Sequence, residues 1–114
     1  MYEYSATVLA IHDGDTITVD VDLGFGIHFE EMHLRLLGLN APELNTTAGK
    51  LSQSYLVSIM PLGSTITIKT EKDKQEKYGR YLATLISDKW GNINQALITN
   101  GYAKAWDGKG ERPV

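Results

Sequence analysis

Alternation with a period of two dominates the first forty residues and constrains the fold more than any other feature. Ala6, Val8 and Ala10, then Ile17, Val19 and Val21, alternate with polar or small residues, and Asp13-Gly14 between the runs is a strong hairpin signal. A second turn signal at Gly24-Phe25-Gly26 leads into Ile27 to Leu39, where Met32, Leu34 and Leu36 keep the same period. The runs read as three strands, the third unbroken from Ile27 to Leu39. On that strand Arg35 points away from Leu34 and Leu36, because successive strand side chains face opposite sides.

The period then changes. Pro42 biases Ala41 away from helical angles and Asn45-Thr46-Thr47 supplies N-caps, so a helix is expected from Thr46 or Thr47. Leu51, Tyr55, Leu56 and Ile59 fall at helical spacing, and Pro61 and Gly63 stop the element. Thr65 to Thr70 and Arg80 to Ile86 alternate again and read as a hairpin with a charged loop. A second short helix is expected over Asn92 to Ile98, capped by Asn92 and ended at Asn100-Gly101. Five strands, with one helix between the third and fourth and another near the C-terminus, match the order of an OB-fold barrel, an α+β fold that is mainly β.

Length allows a single domain over 1–114, with a polar, exposed and mobile tail from about 107. The chain has no cysteine, which excludes disulfides and thiolate metal sites. No apolar run approaches the roughly 20 residues needed to cross a bilayer, and the N-terminus lacks a basic start followed by an apolar stretch. A cytoplasmic monomer is the expectation, although a mature secreted or phage-encoded protein would read alike. The net charge of −3 gives no broad basic footprint, so any nucleic-acid contact must be local. Lys69, Lys72, Lys74 and Lys77 cluster, but interleaved acids favour a solvated loop over a phosphate-facing patch.

Three strings carry candidate chemistry: Asp13-Gly14-Asp15-Thr16, Arg35 to Glu43 (Arg-Leu-Leu-Gly-Leu-Asn-Ala-Pro-Glu), and Lys77-Tyr78-Gly79-Arg80. Asp15, the Asn40 amide and the Ala41 carbonyl are hard oxygen donors suited to Ca²⁺ or Mg²⁺. Glu43 is placed to take a proton from water, and the guanidinium groups of Arg35 and Arg80 suit a phosphate. Each string has a plain alternative: a hairpin turn for Asp13-Gly14-Asp15, a surface ion pair of Arg35 with Glu30 or Glu31, a solvated loop acid for Glu43. His12, His28 and His33 share no metal-binding spacing and read as incidental. Trp90 reads as a cap on the turn before Gly91, while Tyr102 and Trp106 are possible base-stacking groups.

Taken in order, the three strings and the later Gly101-Tyr102-Ala103 resemble the staphylococcal nuclease, or thermonuclease, family over nearly the whole chain. The resemblance implies a Ca²⁺-dependent endonuclease acting on DNA, RNA or both and leaving 3′-phosphate ends. By position it makes Asp15 the carboxylate ligand, Arg35 and Arg80 the scissile-phosphate ligands, Glu43 the general base, and Lys77 and Tyr78 contacts to a second phosphate. One departure stands out: the family's Asp-Thr-Pro-Glu or Asp-Ala-Pro-Glu reads Asn40-Ala41-Pro42-Glu43. An amide keeps an oxygen for the ion but removes a charge, so weaker Ca²⁺ binding is expected. The competing expectation is an OB module that binds nucleic acid or a protein partner with weak or absent turnover.

Overall fold

A computed structural model describes residues 2–75 and 79–107. Its strands are β1 (Tyr2–Asp13), β2 (Thr16–Gly24), β3 (Ile27–Leu36), β4 (Leu39–Asn40), β5 (Thr65–Gln75), β6 (Tyr81–Ser87), β7 (Gly91–Asn92) and β8 (Lys104–Ala105). Helix α1 (Thr47–Ile59) lies between β4 and β5, and α2 (Ile93–Thr99) follows β7. Strands β3, β2, β1, β5 and β6 pair in that order. A parallel pairing of Leu34–Leu36 with Tyr81–Ala83 closes them into a five-strand barrel, as the alternation implies.

The period-two apolar residues point inward as expected except Ala10, where the β1–β2 register shifts after Val8 and Ile11 takes the buried place. Val8, Ile17, Val19, Leu34, Ile68 and Leu85 are fully buried, each contributing about 1.5–3 kcal/mol relative to exposure. Leu56 and Met60 from the α1 end and Ile93 and Leu97 of α2 join the same core. Both helix caps follow the sequence reading. Thr46 caps α1, its Oγ1 accepting from the Gly49 N–H, and Asn92 caps α2, its Oδ1 accepting from the Gln95 N–H.

The third strand departs from expectation. It ends at Leu36, the chain turns through Leu37 and Gly38, where φ is +85°, and Leu39–Asn40 forms a separate short pairing with Lys104–Ala105. Gly38 makes the difference, because a left-handed backbone cannot continue a strand. That corner is held by Asn94 on α2. Its amide donates to Leu37 O and Ala83 O and its Oδ1 accepts from the Leu85 N–H, all within 3.0 Å. The outcome is that Arg35 and Asn40, five residues apart, lie on the two sides of one bend.

Two glycines set close approaches around the same region. A Cβ on Gly14 would sit 2.7 Å from the Ser52 Cβ and 2.8 Å from the Ala41 Cβ, so the β1–β2 turn packs directly on α1 and the Ala41 loop. A Cβ on Gly49 would collide with the Glu43 carbonyl oxygen. The first turn of α1 therefore lies directly on the loop that carries Glu43. Among the described residues, no helix is long and apolar enough to cross a membrane.

Candidate active site

The turn between β1 and β2 and the bend after β3 meet at one rim of the barrel. Asp15 is the second residue of the Gly14-Asp15 turn, 8% exposed, with Oδ2 accepting from the Ala41 N–H at 2.9 Å. The same oxygen lies 2.5 Å from Arg35 Nη1 in a buried ion pair. Arg35 Nη2 donates to Leu39 O at 3.2 Å and to Asn40 Oδ1 at 3.4 Å. Asp15 of the first string is thus joined to Arg35 and Ala41 of the second, and Asn40 joins through Arg35. Arg80 joins through an intermediary: its Nη1 donates to Thr16 Oγ1 at 3.2 Å, and that hydroxyl donates to Asp15 Oδ1 at 3.2 Å.

Arg35 is 7% exposed, which the strand alternation does not foretell. Its outward face is covered by the bend after β3 and by Trp106. The Trp106 ring lies 6.0 Å from the guanidinium carbon, and the Trp106 backbone N–H donates to Gly38 O at 2.9 Å. Asp15, and not Glu30 or Glu31, is the acid that pairs with it. Although that carboxylate is close, Nη1 is a buried donor with no acceptor aligned for a hydrogen bond among the described residues. A cavity of about 60 Å³ borders Arg35, Gly38, Leu39, Leu82 and Trp106, room for a few waters and not for a nucleotide.

Asp13 is a functional-site neighbour that sequence reasoning treated only as a turn residue. Its Oδ1 accepts from the Asp15 N–H at 3.0 Å, which puts two carboxyls side by side. Burial, then the hydrogen bond and charge of Asp15, push the Asp13 carboxyl up to about 6. Burial also works against charge on Asp15. There the hydrogen bonds from Asp13 and the Ala41 N–H, the charge of Arg35 and the Thr16 hydroxyl outweigh it, holding that carboxyl below its usual 3.8. The Asp-Gly-Asp spacing was the available signal, since two carboxylates on either side of one glycine at a tight turn come close.

The other candidates separate from this centre. Glu43 is exposed, and its backbone carbonyl accepts from both the Thr46 N–H and hydroxyl, at 3.0 and 2.6 Å. Among the described residues its carboxylate makes no hydrogen bond or ion pair. Lys77 and Tyr78, and the tail from 108, lie outside the described residues. The Tyr102 ring stacks on Tyr55 with centroids 4.3 Å apart, and its carbonyl accepts from Ser52 Oγ. Trp90 sits at the turn before Gly91, as read, but is 47% exposed with the Lys89 ammonium 5.1 Å from its ring.

Does this donor set fit a hard cation? Among the described residues no three acids or histidines converge as an ion cage. What exists is a carboxylate crowded by a second carboxyl raised to about 6, a repulsion that a dication would relieve, flanked by the Asn40 amide and the Ala41 peptide. Carboxylate, amide and peptide oxygens are the donor chemistry that Ca²⁺ takes.

A closed five-strand barrel with a buried carboxylate–guanidinium knot on one rim defines an OB fold carrying an ionic site. The Staphylococcal nuclease homologue family profile matches residues 33–112, and the chain belongs to that family. It is 29% identical over 91% of its length to endonuclease YhcR of Bacillus subtilis, of which it covers 9%. Identity is 28% over 94% of the chain to an uncharacterized endonuclease of Escherichia coli O157:H7, of which it covers 64%. It is also 28% over 90% to the protein MJ1439 of Methanocaldococcus jannaschii, covering 59% of it. The chain therefore spans less than two thirds of the length of each of these relatives.

Proposed function

We propose that the chain is a Ca²⁺-dependent nuclease hydrolysing phosphodiester bonds of DNA, RNA or both. The observation that carries this reading is the knot of Asp15, Arg35 and Asn40, with Arg80 tied in through Thr16. Family membership and the endonuclease names of two relatives support it. Asp15, Asn40 and the Ala41 carbonyl would hold the ion, whose chemistry is Lewis-acid polarisation of a phosphoryl oxygen and orientation of water.

The remaining work falls to this chain's own side chains. Arg35 brings a desolvated guanidinium whose Nη1 lacks an aligned acceptor, so a phosphate oxygen gains a donor already stripped of water. Arg80 adds a second guanidinium from the Thr16 side. Glu43, exposed and unpaired among the described residues, takes the proton of the attacking water or orders that water. Cleavage on the 5′-oxygen side leaves a 3′-phosphate. Lys77 and Tyr78 are assigned the next phosphate.

The test is cleavage of single-stranded DNA and RNA at millimolar Ca²⁺. Turnover should stop with a chelator and fall by about 10²–10³-fold in Arg35→Lys, which keeps the charge but loses the fork. Intact oligonucleotide after long incubation, when the chain binds it in a salt-sensitive way, supports instead a binding module. Asn40 in place of a carboxylate is the feature that favours that second reading.

A further inference from the structure

We infer that His12 and His33, with the Thr18 hydroxyl between them, form a binding site for a transition-metal dication such as Zn²⁺, separate from the Asp15 centre. The three residues come from three adjacent strands of the barrel. Thr18 pairs across β2 and β3 with His33, and across β1 and β2 with Ala10. The β1–β2 register shifts between Ile11 and Asp13, which makes His12 the extra residue of a bulge. Bulges re-aim side chains, and this one puts His12 Nε2 2.8 Å from Thr18 Oγ1, while His33 Nδ1 lies 2.9 Å from the same oxygen.

Two ring nitrogens therefore converge on one atom, with ring centroids 6.4 Å apart. The hydroxyl has one proton. It can donate to one ring while accepting from the other, so one inward nitrogen is a lone pair and the other becomes one by exchange of tautomer. Both rings are exposed and Thr18 is 6% exposed, which leaves the rings open to an ion on a fixed floor. Imidazole pairs select Zn²⁺, Cu²⁺ and Ni²⁺ over Ca²⁺ and Mg²⁺, so this site and the Asp15 centre divide ions by hardness.

Local charge decides between a cation and an anion as the ligand. Residues 1–34 hold seven acidic side chains and no lysine or arginine. The first guanidinium, Arg35, is neutralised by Asp15 at 2.5 Å. Arg80, held at Thr16 two residues along β2, is a counterweight, and the acidic excess of these strands still favours a dication over a phosphate. His28 is separate, paired with Asp20 at 3.2 Å. With two protein nitrogens and the remaining positions left to the threonine oxygen and water, affinity should be micromolar and not nanomolar.

The inference concerns ion binding and stands whether or not the chain cleaves nucleic acid. The test titrates Zn²⁺ into the full chain in excess Ca²⁺, following histidine side-chain nitrogen signals and the heat of binding. One ion per chain should shift His12 and His33 together, and His12→Gln or His33→Gln should each weaken binding by at least about tenfold. His28→Gln should bind as the parent does. The inference is overturned by no saturable shift up to about 1 mM Zn²⁺, by binding that survives either substitution, or by equal loss in His28→Gln. Should either variant fail to fold, Ni²⁺ added to the parent must broaden the amide signals of His12, Thr18 and His33 before that of Asp15; broadening centred on Asp15 refutes the site.

Discussion

Replacing Asn94 isolates the side chain that holds the bend between Arg35 and Asn40. Asn94 is 5% exposed and makes three hydrogen bonds, one accepted from Leu85 N–H and two donated to Leu37 O and Ala83 O. In Asn94→Leu the volume is nearly kept and all three are lost. Ala83 O keeps the Leu37 N–H at 2.8 Å, so the groups left without a partner are the Leu85 N–H and Leu37 O. A buried unpaired group costs about 1–3 kcal/mol, which gives a loss of about 2–6 kcal/mol for the two together. Against a total stability of about 6–17 kcal/mol for a chain of this length, that loss is large. Urea unfolding should show the midpoint falling by about 2 M at an m-value of about 1–2 kcal/mol/M. Asn94→Ala should lose as much or more, since it adds a small cavity to the same unpaired groups. A loss below about 1 kcal/mol in the leucine variant would refute the argument, because packing would then be the only contribution of Asn94.

Gly49→Ala should destabilise the fold by more than about 2 kcal/mol and shift the amide signals of residues 43 and 44, because its Cβ would collide with the Glu43 carbonyl. An unchanged melting temperature would contradict that packing. Asp13 gives a pH prediction with a definite sign in metal-free buffer. Its folded pKa of about 6 stands above the unfolded 3.8, so its stabilising contribution is complete below pH 3.8 and lost as pH rises through 6. Asn at 13 keeps the acceptor for Asp15 N–H and mimics the protonated acid, so Asp13→Asn should match the parent near pH 4 and exceed it at pH 7. Discounted for partial exposure, the gain is about 1 kcal/mol; a gap independent of pH would sink the assignment. Asn40→Asp should tighten Ca²⁺ binding by about tenfold by calorimetry, the effect of one added charge near a dication. Unchanged affinity would place residue 40 outside the ion's reach.

How far the sequence reveals this molecule depends on whether a feature is local. The hairpin turns, both N-caps and the inward set Val8, Ile17, Val19 and Leu34 follow from turn chemistry and period-two alternation, and the barrel order follows from them. Arg35 shows where this reasoning stops. Alternation states correctly which side of β3 it faces, and a side of a strand is not an environment. Whether that side is wet depends on the bend at Gly38, on Trp106 arriving from beyond α2, and on Asn94 holding the bend, contacts that span 57 and more residues of chain. The histidines fail in the same way for a different reason. His12 and His33 have no shared spacing because their convergence is set by a bulge, which shifts one strand by a residue relative to its neighbour and leaves no mark in either strand's own pattern. Sites assembled within one turn are therefore readable, and sites assembled across strands need the register. The Asp13–Asp15 pair, two residues apart and flanking a glycine, belongs to the first kind. The Asp15–Arg35–Asn40 knot belongs to the second, and only resemblance to a family could anticipate it.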